Sequence, residues 1–399
     1  MNIFKKLYCR SFQLIMKIAI PFLPYRTPKV LNDEKDLISL LKNKNKKNIC
    51  IVTDQGVKSN HLLEPFLNAF KENEVQYVIY DKTIPNPTIE QVEEARVLYL
   101  ENHCDSIMAV GGGSPMDLAK AMGARIVRPK KSVQKMKGLL HVRKKLPLFI
   151  AIPTTAGTGS ETTIASVIVD SKTKHKYAIN DFSLIPHYAI LDYRMTLTLP
   201  KHITSTTGMD ALTHAVEAFI GKSRTPQTKR NAIEAVCLVH KHLKNCYDNP
   251  TSQEDRIGML KAAHAAGIAF TKSYVGYVHA VAHTLGGQYQ VPHGLANAIL
   301  LPVLLEIYGK KSHKRLAVLA KKSGIALEND SKLIAAEKFI AWIYEMNEYM
   351  NIPKKFDCIQ EKDIEKMAAY ASQEGNPLYP VPVLMDKKQL AKIYEMVME

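Results

Sequence analysis

Four histidines and one aspartate fall into two groups in the second half of the chain. Asp210 and His214 lie four residues apart in GMDALTHAVEAF, and His279 and His283 repeat that interval in VHAVAHTL. His293 follows in VPHGL. On a helix, side chains at i and i+4 project from one face, so each pair can serve one point in space. One carboxylate with three imidazoles is a ligand set for a divalent transition metal. A lone histidine pair at this interval is more often coincidence than a site. Two such groups in one half of the chain leave metal binding and coincidence as equally good readings. The ligand types do not choose the ion, because zinc binds more tightly while iron depends on supply. Nucleophilic chemistry is less well supported: there is no G-x-S-x-G elbow and no cysteine in an evident Cys/His motif.

Two glycine-rich segments suggest a phosphate-bearing ligand. Gly111-Gly112-Gly113-Ser114-Pro115-Met116-Asp117 follows a β-branched run, with Ser114 suited to an N-cap and Pro115 to the first helical position. Glycines before a helix start let backbone N–H groups approach a diphosphate at the positive end of the helix dipole. The segment is neither the G-x-G-x-x-G fingerprint, since Met116 stands where glycine is needed, nor a Walker loop. A tight turn is the competing reading. Pro153-Thr154-Thr155-Ala156-Gly157-Thr158-Gly159-Ser160-Glu161 offers hydroxyls and flexible backbone after the next such run. Asp54 ends an earlier run, where a carboxylate can accept from a ribose 2′-hydroxyl and repel a 2′-phosphate, favouring NAD over NADP; a helix cap is its alternative role.

The elements that must position these residues follow from the patterning. Asn48–Thr53, Gln76–Tyr80, Asp105–Val110 and Leu146–Ile152 read as strands, and Thr88 with Gln91 forms a capping box opening a helix over 89–102. Strands alternating with helices imply a doubly wound parallel sheet whose ligands bind at the carboxyl ends. Beyond about residue 205 the segments have helical spacing and strand signals fade. The expected organisation is a basic N-terminal extension (1–30), an α/β dinucleotide-binding domain (31–205) and an all-helical metal-binding domain (206–399), with a small-molecule site in the cleft between the domains.

Composition narrows the class. The chain has 399 residues, enough for two cores, and six scattered cysteines without a C-x-x-C pair, which points to reduced thiols in the cytoplasm. The net charge of +16 is concentrated: residues 1–30 and 124–145 carry fifteen Lys and Arg and no acid. A basic field also attracts an anionic cofactor, so nucleic acid is not implied. The apolar run 14–23 is interrupted by Lys17 and Pro21 and is too short to span a bilayer. It reads as a helix packing on its own protein, with contact to a membrane surface as the less favoured reading.

GGGSPMDLAK (111–120), PTTAGTGSE (153–161), GMDALTHAVEAF (208–219) and VHAVAHTLGGQYQVPHGLANAILLP (278–302) resemble the iron-containing alcohol dehydrogenases, over roughly residues 30–399. The resemblance implies a dehydroquinate-synthase-like fold: an α/β nucleotide domain and a helical metal domain. It implies metal ligation by Asp210, His214, His279 and His293, with His283 as the additional histidine near nicotinamide and substrate. Gly112, Gly113 and Ser114 would hold the diphosphate. Thr154, Thr155 and Thr158 would line the cofactor, and Asp54 would favour NAD, with NADP tolerance left open. Lys176 would be a further cofactor contact, and Asp117 closes the first turn of the same set. The implied activity is hydride transfer between a primary or small alcohol and NAD, with Fe2+ (alternatively Zn2+), in a cytoplasmic homodimer. The pocket residues that choose the alcohol are not in these motifs. A polyol dehydrogenase or dehydroquinate-synthase-type lyase is the nearest alternative, and a membrane-associated homologue without turnover a more distant one.

Overall fold

The structure, a computed structural model, describes residues 1–173 and 175–399. Its strands are β1 (Lys29–Leu31), β2 (Asn48–Val52), β3 (Gln76–Tyr80), β4 (Ser106–Gly111), β5 (Gly138–Leu139), β6 (Leu148–Pro153), β7 (Ala165–Asp170), β8 (His175–Asn180) and β9 (Tyr188–Ile190). Six form a parallel sheet in the order β1-β9-β6-β4-β2-β3, and β5, β8 and β7 form a second sheet. Alternation along a strand sends successive side chains to opposite faces, and here both faces are covered. Ile49, Ile51, Met108, Val110, Ile150 and Ile152 join a core with Leu37, Phe66 and Phe70. Cys50, Val52, Ile107, Ala109, Phe149 and Ala151 join another with Met116 and Met122. Burial on both sides is why these strands read as continuous apolar runs.

Strands β2, β3, β4 and β6 match the expected segments to within two residues. The Thr88–Gln91 capping box opens the Ile89–Glu101 helix. The short strands β1, β5 and β9 lack a comparable local signal, while the antiparallel β7–β8 pair, which includes the β-branched run Val167-Ile168-Val169, is additional to the expected strands. One expectation is corrected: Ser114 is not the N-cap. Gly112 occupies that position and the helix Gly113–Val127 begins before Ser114. Gly111, at φ 153°, lets the chain leave β4 sharply, and a Cβ there would lie 2.5 Å from Pro115 Cγ. The turn chemistry therefore starts the helix earlier than a serine cap would.

The chain divides into two compact units: Pro24–Leu199, and Met1–Leu23 with Pro200–Glu399. The second is helical. Its site-bearing helices are Lys201–Ile220, Gln253–Ser273, Tyr277–Tyr289, His293–Tyr308 and Glu361–Gly375. The first twenty-three residues belong to this unit rather than to the sheet that follows them.

A buried histidine supplies a pH-dependent element of the sheet unit. His187 Nδ1 accepts the Phe149 N–H at 3.1 Å, while the His187 N–H donates to the Phe149 carbonyl at 2.9 Å. Burial, then the nearby Arg26, Lys145 and Lys44, pull its pKa from 6.5 to about 4. As pH falls through this interval the unfolded chain takes up the proton first, so folding stability declines between about pH 6.5 and about pH 4. His187→Asn, which retains an acceptor but does not titrate, is expected to flatten that decline in urea unfolding; an unchanged slope would assign the acid sensitivity elsewhere.

Candidate metal centre and nucleotide turns

Within the helical unit, the Lys201–Ile220 helix presents Asp210, His214 and Glu217 on one face, as their i, i+4, i+7 spacing requires. His279 and His283 come from the Tyr277–Tyr289 helix, and His293 opens the His293–Tyr308 helix. One ligand atom from each of Asp210, His214, His279 and His293 lies within 4.8 Å of the others. Asp210 Oδ1 is 3.5 Å from His293 Nε2, 3.7 Å from His214 Nδ1 and 4.0 Å from His279 Nε2. The His214 ring stacks on Phe270 at 4.1 Å, which fixes its plane.

The donor set fits a divalent cation. Asp210 is buried, and among the described residues no Lys or Arg lies within ion-pairing distance of it. A buried carboxylate with only imidazole and amide neighbours is costly without a positive charge. Asn297 Nδ2 is 2.7 Å from Asp210 Oδ1, 3.1 Å from His293 Nε2 and 3.3 Å from His279 Nε2, so its amide protons lie against the ligand atoms. Its Oδ1, by contrast, is buried without a hydrogen-bond partner. Burial, reinforced by the other three histidines, holds the His279 pKa well below 6.5, which keeps the ring in its neutral, ligating form.

Close helix approach makes the cluster possible. A Cβ on Gly294 would lie 2.5 Å from the Thr206 carbonyl oxygen, so glycine lets the start of one helix meet the backbone of the other.

Two carboxylates escaped the sequence reading. Glu217 is fully buried, and its Oε2 lies 2.6 Å from His279 Nδ1 and accepts the Gly276 N–H at 2.7 Å. Its Oε1 accepts the Val278 N–H at 2.9 Å. Burial raises its pKa to about 7, against the opposing pull of those backbone N–H groups. Glu374, on the Glu361–Gly375 helix, brings Oε1 to 2.6 Å from His283 Nδ1 and accepts the Tyr379 hydroxyl at 2.7 Å. Burial pushes Glu374 upward, but the charge and hydrogen bond of His283 and the Tyr379 bond outweigh it, and its pKa is lowered. The His283 ring stacks on His293 at 5.2 Å, placing this pair at the edge of the cluster. The i+3 step from His214 to Glu217 was the available sequence signal; Glu374 had none.

Within the sheet unit, Gly111 pairs with Pro153, so both glycine-rich turns leave the same edge. A Cβ on Gly112 would be 3.5 Å from Thr155 Oγ1, and one on Gly113 would be 3.5 Å from Thr158 Cγ2. The glycines of the first turn thus face the threonines of the second with room for no more than a methyl group between them. Thr154 is buried and donates its N–H to the Gly111 carbonyl at 3.0 Å. Ser114 is the second residue of the helix, inside its first turn. Asp117 receives Ser160 Oγ at 3.4 Å, and burial lifts its pKa to about 6. Lys120, also unnoticed in the sequence, is fully buried and donates to the Ser160 and Ala165 carbonyls and to Thr163 Oγ1 at 2.7–2.9 Å. It fastens the end of the second turn to the helix that starts in the first. Asp54 is the N-cap of Gln55–Ser59, accepting the Val57 N–H at 2.9 Å. The capping role does not exclude a second one, because a carboxylate has acceptor positions to spare. Lys176 is exposed on β8, with Nζ 2.6 Å from Asn86 Oδ1.

Comparison with known proteins agrees with this architecture. Residues 31–193 match the family described as iron-containing alcohol dehydrogenase, and residues 204–398 match the C-terminal part of the Fe-containing alcohol dehydrogenase family. The chain is 34% identical to 1,3-propanediol dehydrogenase of Citrobacter freundii over 352 residues, covering 87% of this chain and 90% of that one. The crystal structure of a 1,3-propanediol oxidoreductase superposes with a TM-score of 0.89 at 32% identity, over 94% of this chain and 99% of the other. Sulfoacetaldehyde reductase from Bifidobacterium kashiwanohense, solved in complex with NAD+, gives a TM-score of 0.82 at 26% identity, over 94% and 98% of the two chains. With both halves matched and the buried Asp/His cluster in the helical one, the chain belongs to the iron-containing alcohol dehydrogenase family.

Proposed function

We propose that Asp210, His214, His279 and His293 hold the divalent ion of an NAD-linked alcohol dehydrogenase, Fe2+ in the first instance and Zn2+ as the alternative. An alcohol oxidoreductase activity follows from the family. The observation that carries the ligand assignment is the convergence of four ligand atoms around a buried carboxylate. We further propose that the paired turns take the dinucleotide: Gly112, Gly113 and Ser114 at the diphosphate, with Thr154, Thr155, Thr158, Asp117 and Lys176 around it. Asp54 would accept from the ribose. NADP used better than NAD would overturn that role for Asp54.

When bound, a divalent ion supplies Lewis acidity, making an alcohol hydroxyl easier to deprotonate and an aldehyde carbonyl easier to reduce. Oxidation of R–CH2OH also releases one proton, and the protein must provide its path. His283 is suited to that task. Ionised Glu374 can only accept at His283 Nδ1, so Nδ1 carries a hydrogen and the basic lone pair of the ring, the one that takes up the proton, is on Nε2. The half-exposed ring can then pass it to solvent. Glu374 is a positioning residue in this scheme, held in turn by Tyr379.

Anaerobic assays with Fe- or Zn-loaded protein, NAD+ and a panel of primary alcohols including 1,3-propanediol test the reading. Net formation of NADH is expected; a lyase of the same fold would give none. Glu374→Gln should lower kcat roughly tenfold to a hundredfold and shift the limb assigned to His283 to lower pH, because an anion beside the imidazole is gone. Its metal content should not change. An unaltered pH profile would remove Glu374 from the proton path. Sedimentation equilibrium tests the homodimer, and the six free cysteines support a cytosolic setting.

A further inference from the structure

The N-terminal helix Ile3–Ala19 is amphipathic with its apolar side outward. Ile3, Phe4, Leu7, Leu14, Ile15 and Ile18 are all exposed, from 58% for Leu14 to 81% for Phe4. At about 100° per residue these six fall within an arc of roughly 120°. Phe22, just beyond the helix, is 86% exposed. The opposite side carries Cys9 and Gln13, which are buried. Lys5 lies beyond one edge of the apolar arc, with Lys6 and Lys17 beyond the other. Exposed apolar patches of this size are uncommon unless something covers them.

Polar anchors set this orientation. The Arg10 guanidinium donates to the Val381 and Pro382 carbonyls at 2.8 and 3.0 Å. Gln13 Nε2 donates to the Tyr379 and Pro377 carbonyls at 2.7 and 3.1 Å. The terminal amino group pairs with Asp386. Turning the helix to bury its apolar stripe would break the Arg10 and Gln13 bonds, so the outward stripe is built into the fold.

The charge pattern identifies the occupant. Residues 1–30 contain six Lys and Arg and no acid. Lys222 of the same unit has Arg10, Arg315 and Lys311 as like-charged neighbours, which add to burial in lowering its pKa, so the positive field extends past the helix. A second copy docking through this face in a two-fold contact would set lysines against lysines, and the segment 1–30 brings no acid of its own to neutralise them. An anionic lipid surface matches both properties: its headgroups take the lysines and its acyl boundary takes the apolar arc. Among the described residues no helix is long and apolar enough to cross a membrane, so the contact lies in the plane of the surface.

We infer that Ile3–Ala19, with Phe22, is an interfacial helix that docks this enzyme on membranes rich in anionic phospholipid. The sequence alone favours simple packing on the protein; in the structure one face packs and the other is left for lipid.

Co-sedimentation of the full-length protein with phosphatidylcholine vesicles, with and without phosphatidylglycerol, tests the inference. Binding is expected only with the anionic lipid and should weaken with salt. Leu7→Asp/Leu14→Asp/Ile18→Asp should weaken it on the order of a hundredfold. Lys5→Gln/Lys6→Gln/Lys17→Gln should weaken it roughly fivefold per lysine. Both variants alter exposed side chains and should keep wild-type activity on a water-soluble alcohol, which serves as the folding control. Wild-type protein left in the supernatant with anionic vesicles would overturn the inference, as would undiminished binding by the aspartate variant. So would a change from dimer to monomer in that variant without vesicle binding by the wild type, which would show that a second copy covers the stripe.

Discussion

His293→Ala is expected to lose its metal and its turnover together while keeping its fold. The ring is about two-fifths exposed, at the first residue of a helix, so its removal leaves little cavity, and Asp210 keeps the hydrogen bond from Asn297 at 2.7 Å. Removal of one ligand of four weakens chelation, and the ion's Lewis acidity is worth several kcal/mol in the barrier, roughly a thousandfold or more in rate. His279→Ala should show the same loss with an added stability cost, because it strips a buried partner from Glu217. Metal analysis, kcat and thermal unfolding on the two variants separate the effects. Full turnover by demonstrably metal-free His293→Ala protein would end the ligand assignment.

Glu217 should prove nearly as sensitive without touching the ion. Its two oxygens answer donors from Gly276, Val278 and His279. A glutamine has one acceptor oxygen and one NH2 group, so it cannot satisfy all three. If its oxygen serves Gly276 and His279, the NH2 meets the Val278 N–H. In the reverse orientation the NH2 faces His279 Nδ1, which must then give up its hydrogen to Nε2, the atom facing the ligand cluster. Either outcome strands a buried donor or imposes the wrong tautomer, at about 1–3 kcal/mol per unsatisfied group. Loss of an outer carboxylate typically weakens metal binding tenfold to a hundredfold. Glu217→Gln is therefore expected to lower metal affinity by that factor and to reduce the unfolding temperature. Wild-type affinity in Glu217→Gln would show that the carboxylate serves the fold alone.

What can be read from the sequence follows from how locally each feature is encoded. Strands β2, β3, β4 and β6 are legible because each is a short apolar run, and the helical half because its spacing persists over many turns. The i, i+4 intervals of Asp210/His214 and His279/His283 are enough to put the candidate ligands on common helix faces. Glu217 lies within reach of the same argument, three residues past His214. Glu374 and Lys120 do not, because their partners are set by tertiary packing: Glu374 reaches His283 across 91 positions and Lys120 reaches Ser160 across 40. The N-terminal helix shows the same limit in another form. Its amphipathic pattern is visible in the residues, but which side faces the protein depends on bonds from Arg10 and Gln13 to residues some 370 positions away.

Catalysis as described here needs a single cation at the Asp/His cluster, and anomalous diffraction tests that most directly. Crystals grown anaerobically with Fe2+ and measured on either side of the iron edge should show one strong peak per chain, within bonding distance of Asp210, His214, His279 and His293. An active crystal with no peak there, or with its peak elsewhere, would contradict it.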